Sequence, residues 1–171
     1  MAVEQTADCV IITDREGVIR YVNAAFEKET GYTREEALGK TPRILKSGEH
    51  DARFYEALWK TILAGNVFKA VFINRRKTGE LVYEQKTITP LKDSKGNITH
   101  FVSTAKNITE QAQAEEDLRE SEKQYRDLFE STSDLIQTVA PGGRLLFANR
   151  AWREALGYTE QELINLNIER V

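Results

Sequence analysis

Residues 5–42 lie over residues 131–168 without a gap. Thr6 meets Thr132, Asp8 meets Asp134, Gly17 meets Gly143, Asn23 meets Asn149, and Gly31-Tyr32-Thr33 meets Gly157-Tyr158-Thr159. Apolar positions exchange like for like: Val10 with Ile136, Ile19 with Leu145, Tyr21 with Phe147, Phe26 with Trp152. Turn residues and core residues keep one register, so the same local structure is written twice. This constrains the fold more than any other feature. The first copy continues into a full module, whereas the second reaches Val171 after about the opening third of it, as expected of a piece of a tandem array.

The chain has 171 residues, enough for one good core and part of another. Hydrophobic residues make up 40% and charged residues 30%, as in a soluble globular protein with one very polar stretch. A net charge of −3 gives no reason to expect nucleic acid or an anionic membrane as partner. No apolar run approaches the roughly 18 residues of a membrane span, and the first residues do not read as a signal peptide. One cysteine, Cys9, rules out an internal disulfide and fits a reducing compartment, the cytoplasm being the expectation. With only His50 and His100 beside it, a protein-only zinc cage is not expected.

The first copy reads as mixed α and β. "CVIITD" is a β-branched strand, "REG" a turn and "VIRYVN" the returning strand. Asn23 is placed to cap the short helix "AAFEKET", which Gly31 ends. Thr33 and Glu36 have capping-box spacing for a second short helix closed by Gly39. Asp51 caps a longer helix over 52–64, with Phe54, Leu58 and Ile62 on one face and Tyr55 and Trp59 beside them. Three strands follow, over 68–75, 81–89 and 98–106, joined by the turns "RKTGE" and "DSKGN". The fold class is α+β: one antiparallel sheet with helices packed on one face.

From Asn107 the composition changes. "NITEQAQAEEDLRESEKQYRDLFEST" lacks Gly and Pro and is rich in helix formers. Gln111, Ala114, Leu118, Ser121, Tyr125 and Leu128 have heptad spacing and form a thin, partly polar seam. One such stripe cannot bury itself. A second copy of the same helix is its simplest partner, and a solvated spacer helix is the alternative.

"DREGVIRYVNAAFEKETGYTREEALGK" followed by "FINRRKTGELVYEQKTITPLKDSKGNITHFVSTAKNITE" resembles the PAS domain family of bacterial sensory modules. The resemblance implies a five-stranded antiparallel sheet crossed by short helices, then a long connecting helix. It divides the chain into a complete module over 1–108, a coiled-coil-like linker over 109–130 and the start of a second module over 131–171. It implies a sensory and dimerising part of a multidomain signalling protein, a histidine kinase or a cyclic-di-GMP enzyme, whose output domain lies elsewhere. The expected partners are a second copy, through the linker helix and the sheet face, and that output domain. A pure protein-interaction scaffold is a further alternative.

Members of the family hold haem, flavin, a metabolite or only side chains between sheet and helices. The photochemical branch places a cysteine just after the second short helix; here that run is Thr41-Pro42-Arg43, and Cys9 lies far off on the first strand. "GKTPRILKSGEHDARFYEALWKTI" to "FINRRKTG" resembles the flavin-binding redox PAS domain of nitrogen-fixation regulators. That resemblance makes Asn74 the polar edge for FAD, Ile44, Leu45 and Ile62 an apolar clamp, and Trp59 an aromatic neighbour. Phe68 and Ala105 depart from the flavin pattern, where tryptophan and glutamine are usual. Haem finds no histidine on the long helix; His50, before it and next to acidic neighbours, reads as exposed, and His100 on the last strand as structural or solvated. Phe26, Phe54, Leu58, Trp59, Ile62, Phe72, Tyr83 and Phe101 suffice to fill the interior. No cofactor is therefore the first expectation, FAD the alternative and haem the least supported. The candidate pocket is Phe26, Ile44, Leu45, Trp59, Ile62, Asn74 and Tyr83.

No phosphate loop, nucleophile elbow or His-Glu-x-x-His run is present, so no catalytic or metal-binding residue is assigned. The last strand runs into the linker without Gly or Pro between them. Asn107, Ile108 and Thr109 form the expected joint, and Leu118, Tyr125 and Leu128 carry a change onward along the seam. The family usually has aspartate where Asn107 stands.

Overall fold

The β-branched run at Cys9–Asp14 forms β1, and the chain returns through β2 (Ile19–Val22). This computed structural model describes residues 2–163, 166 and 167. The close of the second repeat copy, residues 164–165 and 168–171, lies outside them. A 3-10 turn, Ala2–Gln5, precedes β1. After β2 come α1 (Ala24–Thr30), α2 (Arg34–Ala37), a 3-10 turn at Pro42–Leu45, and α3 (Ala52–Leu63). The Asn23 side chain caps α1, Gly31 ends it in the left-handed conformation, and Thr33 and Glu36 close a reciprocal capping box. α2 ends before Gly39, at Ala37, with Leu38 as its cap.

β3 (Phe68–Arg75), β4 (Leu81–Lys92) and β5 (Ile98–Asn107) complete the sheet. Its order is β2-β1-β5-β4-β3, antiparallel at every pairing. β4 runs three residues past the expected end and includes Pro90. The Tyr83 amide and carbonyl both bond on the β5 side, so odd positions of β4 face β5 and even ones face β3. β3 ends its pairing at Phe68 opposite Ile88. The missing Pro90 N–H therefore points where no strand waits for it.

The chain divides into two compact units, Met1–Ala112 and Gln113–Val171. The first has two apolar clusters. One gathers Cys9, Ile11, Ile19, Val22, Phe26, Ala37, Leu45 and Ala105, with Tyr32 and Ile44 against it. The other gathers Leu58, Ile62, Phe72 and Phe101, with Phe54, Phe68 and Ile88 against it.

α4 (Thr109–Ser131) carries the heptad seam and buries none of its residues. Leu118, Tyr125 and Leu128 are 61%, 67% and 74% exposed, so the stripe is uncovered in this single chain. In the second unit β6 (Gln137–Val139) pairs with β7 (Leu145–Ala148), followed by α5 (Arg150–Leu156) and α6 (Glu160–Leu163). A fragment of this fold standing alone would leave Leu135, Ile136, Leu145, Leu146, Phe147 and Trp152 without the rest of a sheet to cover them. Leu145 and Trp152 nevertheless bury each other with Ala148 and Leu163, while Leu135 and Leu146 stay exposed. No helix among the described residues is long and apolar enough to cross a membrane.

Candidate functional site

The two-residue period of a strand decides which β4 side chains turn inward. Val82, Glu84 and Lys86 are buried, whereas Leu81 and Gln85 are exposed. Register then sets their neighbours: Glu84 lies opposite Phe72 on β3 and Asn107 on β5, and Lys86 opposite Ala70 and Ala105. Two charged residues thus stand on the inner face of the central part of the sheet, where helix α3 covers it.

They satisfy each other. Lys86 Nζ lies 2.9 Å from Glu84 Oε2, with both side chains almost wholly buried, at 6% and 3% exposure. Asn74 Nδ2 donates to the same oxygen at 2.6 Å. The ammonium also sits 5.0 Å from the centre of the Phe72 ring, which its charge favours. A buried pair of this kind needs close geometry and extra hydrogen bonds to offset desolvation, and Asn74 supplies one.

Above this floor lies a cavity of about 940 Å³. Its walls include Leu58, Trp59 and Ile62 of α3, Phe72, Ile88 and Phe101 of the sheet, and Tyr55. Its polar lining includes Lys86, Asn74, Thr13, Thr41 and Ser103, with Glu16, Arg43, Lys46 and Glu56 also contributing. Gly17 lies against Trp59: a Cβ there would stand 3.0 Å from the indole, and φ is +83°. A side chain at position 17 would press on this wall. The size is that of a small-molecule pocket, which spans about 300–1,000 Å³.

The residues read from sequence fall in three places. Trp59, Ile62 and Asn74 line the cavity. Phe26 and Leu45 are buried in the other apolar cluster, with Ile44 packed on it, and do not line the cavity. Tyr83 alternates with the inward Val82 and Glu84, so its side chain is not part of the interior to which the sequence assigned it. Its backbone serves the joint instead. His50, expected to be exposed, is instead partly buried: its Nε2 accepts from the Ile73 amide at 2.9 Å and its ring stacks on Phe54 at 4.0 Å.

At the joint, the Ile108 amide donates to the Tyr83 carbonyl at 2.8 Å, and the Tyr83 amide donates to Thr109 Oγ1 at 3.0 Å. Asn107 Oδ1 accepts from the Thr109 amide and hydroxyl at 2.9 and 2.7 Å, capping α4. Asn107 Nδ2 donates to Glu29 Oε2 at 2.5 Å, and Arg76 reaches the same oxygen at 3.5 Å. The amide at this position thus uses both its ends, the oxygen on Thr109 and the N–H donor on a carboxylate.

A family model described as PAS fold matches residues 2–108. The chain belongs to the PAS family. A second model, described as PAS domain, matches residues 123–171. Among curated proteins, the chain is 26% identical to a nitrogen fixation regulatory protein of Klebsiella oxytoca, over 88% of this chain and 30% of that protein. It is 32% identical to a blue-light-activated histidine kinase of Brucella canis, over 63% of this chain and 23% of the kinase. The chain therefore spans less than a third of the length of these relatives. Among solved structures, the LOV domain of the Erythrobacter litoralis EL346 blue-light activated histidine kinase superposes with a TM-score of 0.57 at 27% identity, covering 61% of this chain and 99% of that domain. The chain is accordingly a PAS sensor module with the α+β PAS fold. No output domain is among its described residues.

A flavin can be tested against this PAS cavity. The polar edge assigned to FAD is Asn74, whose Nδ2 is committed to Glu84. The clamp residues Ile44 and Leu45 are packed elsewhere. Ala105, where the flavin pattern read from the sequence expects glutamine, is paired across the sheet with Lys86. This donor set does not fit the flavin arrangement read from the sequence.

The pair Glu84–Lys86 escaped the sequence reading altogether. The available signal was the alternation Val82, Glu84, Lys86, Ile88, which puts both charges on the face of two aliphatic residues. Cys9 also faces this interior. Burial first, and the Glu84 charge second, push its thiol up to about 12, so it is an inert apolar group.

Proposed function

We propose that this PAS module senses a small molecule in the Lys86 cavity and passes the cavity's state to helix α4. One observation carries the reading: Tyr83, whose backbone holds the start of α4 from both its amide and its carbonyl, is the chain neighbour of Glu84. Glu84 in turn holds Lys86 and Asn74 of the cavity. A ligand that draws Lys86 toward itself changes the pull on Glu84, and the displaced strand segment carries Tyr83 with it. Asn107, opposite Glu84, closes the same circuit from β5. Asn107, Ile108 and Thr109 thus couple sheet to helix without a Gly or Pro hinge.

The exposed Leu118, Tyr125 and Leu128 give α4 a seam for the same helix of a second copy, so the change reaches an output domain through a dimer. By the pattern of its relatives, that output is a regulator or histidine kinase. A module of this kind works by shifting a preexisting balance between helix positions, which a ligand achieves only through differential affinity for the two.

Hydrogen exchange tests the circuit without knowing the ligand. Ser103→Phe places a ring in the cavity. Exchange at the Tyr83 and Ile108 amides should then change by about tenfold or more, while amides of β2 stay as they were. Unchanged exchange at the joint in a folded, cavity-filled protein would sink the relay.

A further inference from the structure

Resting on the reading of the cavity as a ligand site, we infer that its ligand is an aromatic carboxylic acid of one or two rings, its carboxylate received by Lys86. The argument is a count of donors and acceptors. An ammonium has three N–H donors. Among the described residues Lys86 uses one, on Glu84 Oε2, and it lines the cavity with nothing accepting from the other two. That single oxygen already serves Asn74 as well, so the negative charge facing Lys86 is divided between two donors. The hydroxyls of Thr13, Thr41 and Ser103 also line the cavity; each can donate or accept, and none accepts from Lys86. Asn74 Oδ1 is the acceptor that the buried amide leaves over, and Glu84 itself is not among the lining residues. The uncompensated feature of the floor is therefore the ammonium, with two N–H donors that no described neighbour accepts, and the group that completes it brings acceptor oxygens and negative charge.

The charges elsewhere on the lining do not decide the matter. Arg43 and Lys46 are balanced by Glu16 and Glu56, and all four are exposed. Selection falls to the buried floor, where low dielectric strengthens a charge-assisted hydrogen bond. The walls supply the rest of the specificity. Trp59 and Phe101 meet edge to face at 6.0 Å, and Phe72, Tyr55, Leu58 and Ile62 extend an apolar surface from them. Flat rings match that surface better than a flexible chain, which would lose more freedom on binding. A short aliphatic acid would reach Lys86 but leave these walls wet.

Titration calorimetry on the full chain with 2-naphthoate and its uncharged counterpart 2-naphthamide tests the inference. The acid should bind at least about tenfold more tightly than the amide. Glu84→Gln with Lys86→Met removes both charges, so neither is stranded, and the new carboxamide at position 84 still bonds Asn74. In that double variant, provided that it melts cooperatively, the preference for the acid should vanish. Equal affinities in the original protein, or a preference that survives the double substitution, would overturn the acid assignment. So would failure of both compounds to bind. The cavity reading fails differently: if Ser103→Phe leaves naphthoate affinity unchanged, the ligand is bound somewhere else.

Discussion

Asn23 and Asn149, 126 positions apart, share four equivalent hydrogen bonds, and Asn23 adds a fifth to Thr6 Oγ1 at 3.2 Å. Asn23 Oδ1 accepts from the amides of Val10 and Phe26 at 2.9 and 3.1 Å. Asn149 Oδ1 accepts from those of Ile136 and Trp152 at 3.0 and 3.1 Å. Each Nδ2 donates to the carbonyl of an aspartate before the first strand, Asp8 or Asp134. Each also reaches the segment before that, at Val3 O in the 3-10 turn of one copy and at Phe129 O in the last turn of α4 in the other. Both asparagines are fully buried. One side chain thus ties together the incoming segment, the first strand and the first helix of its module.

Replacing either asparagine by alanine strands a buried strand amide and removes a helix cap. Asn23→Ala should cost the first unit on the order of 2–3 kcal/mol. Asn149→Ala should act on the second unit and leave the first near its original stability. Urea melts followed by Trp59 and Trp152 fluorescence in single-tryptophan variants would resolve the two. A loss shared equally by both units would contradict this separation.

Lys86→Met alone leaves Glu84 as a buried carboxylate without its cation. The expected loss is about 3–5 kcal/mol. With Glu84→Gln added, most of that loss should return, because the remaining amides can pair. A double variant no more stable than the single one would show that the pair contributes packing and not charge compensation.

Asn107→Asp restores the residue usual in the family but sets a second carboxylate beside Glu29, where the amide now donates at 2.5 Å. Oxygen acceptors still cap Thr109, so α4 should start at the same residue. The repulsion should lower stability by about 1 kcal/mol at low salt and by less at high salt. Asn107→Asp combined with Glu29→Gln should relieve it. Thermal melts at two ionic strengths read both effects.

The Cys9 thiol is held well above its ordinary range, at about 12, by burial and then by Glu84. An unfolded thiol ionises near about 8.5. Between those values the unfolded chain binds fewer protons than the folded one, so this group's contribution to stability falls as pH rises. Below about 8.5 it is flat. Cys9→Ala should show a shallower alkaline decline than the original protein. At neutral pH iodoacetamide should leave Cys9 unmodified until the domain unfolds; rapid labelling of the native protein would refute the burial argument.

Local rules were legible in the sequence where a residue's role depends on its near neighbours. Asn23, Gly31, the Thr33–Glu36 box and Asp51 all cap as their spacing implied, and β1 and β3 begin and end at the expected residues. The end of β4 was not legible, because tolerance of Pro90 depends on β3 having already stopped. The site was legible only in part. Trp59, Ile62 and Asn74 were singled out, but Tyr83 was assigned inward because aromatic residues usually are. Its neighbours Glu84 and Lys86 were passed over because charges are usually solvated. Only the register of three strands shows that the two charges meet each other and Asn74 in the interior.

The paired asparagine sockets bear on how such arrays are assembled. Each socket lies within a few dozen residues of the peptide carbonyls it grips, so docking instructions for an arriving segment are inherited together with the receiving domain. Duplication or recombination that copies this short block transplants a working coupling, whatever protein stood upstream before.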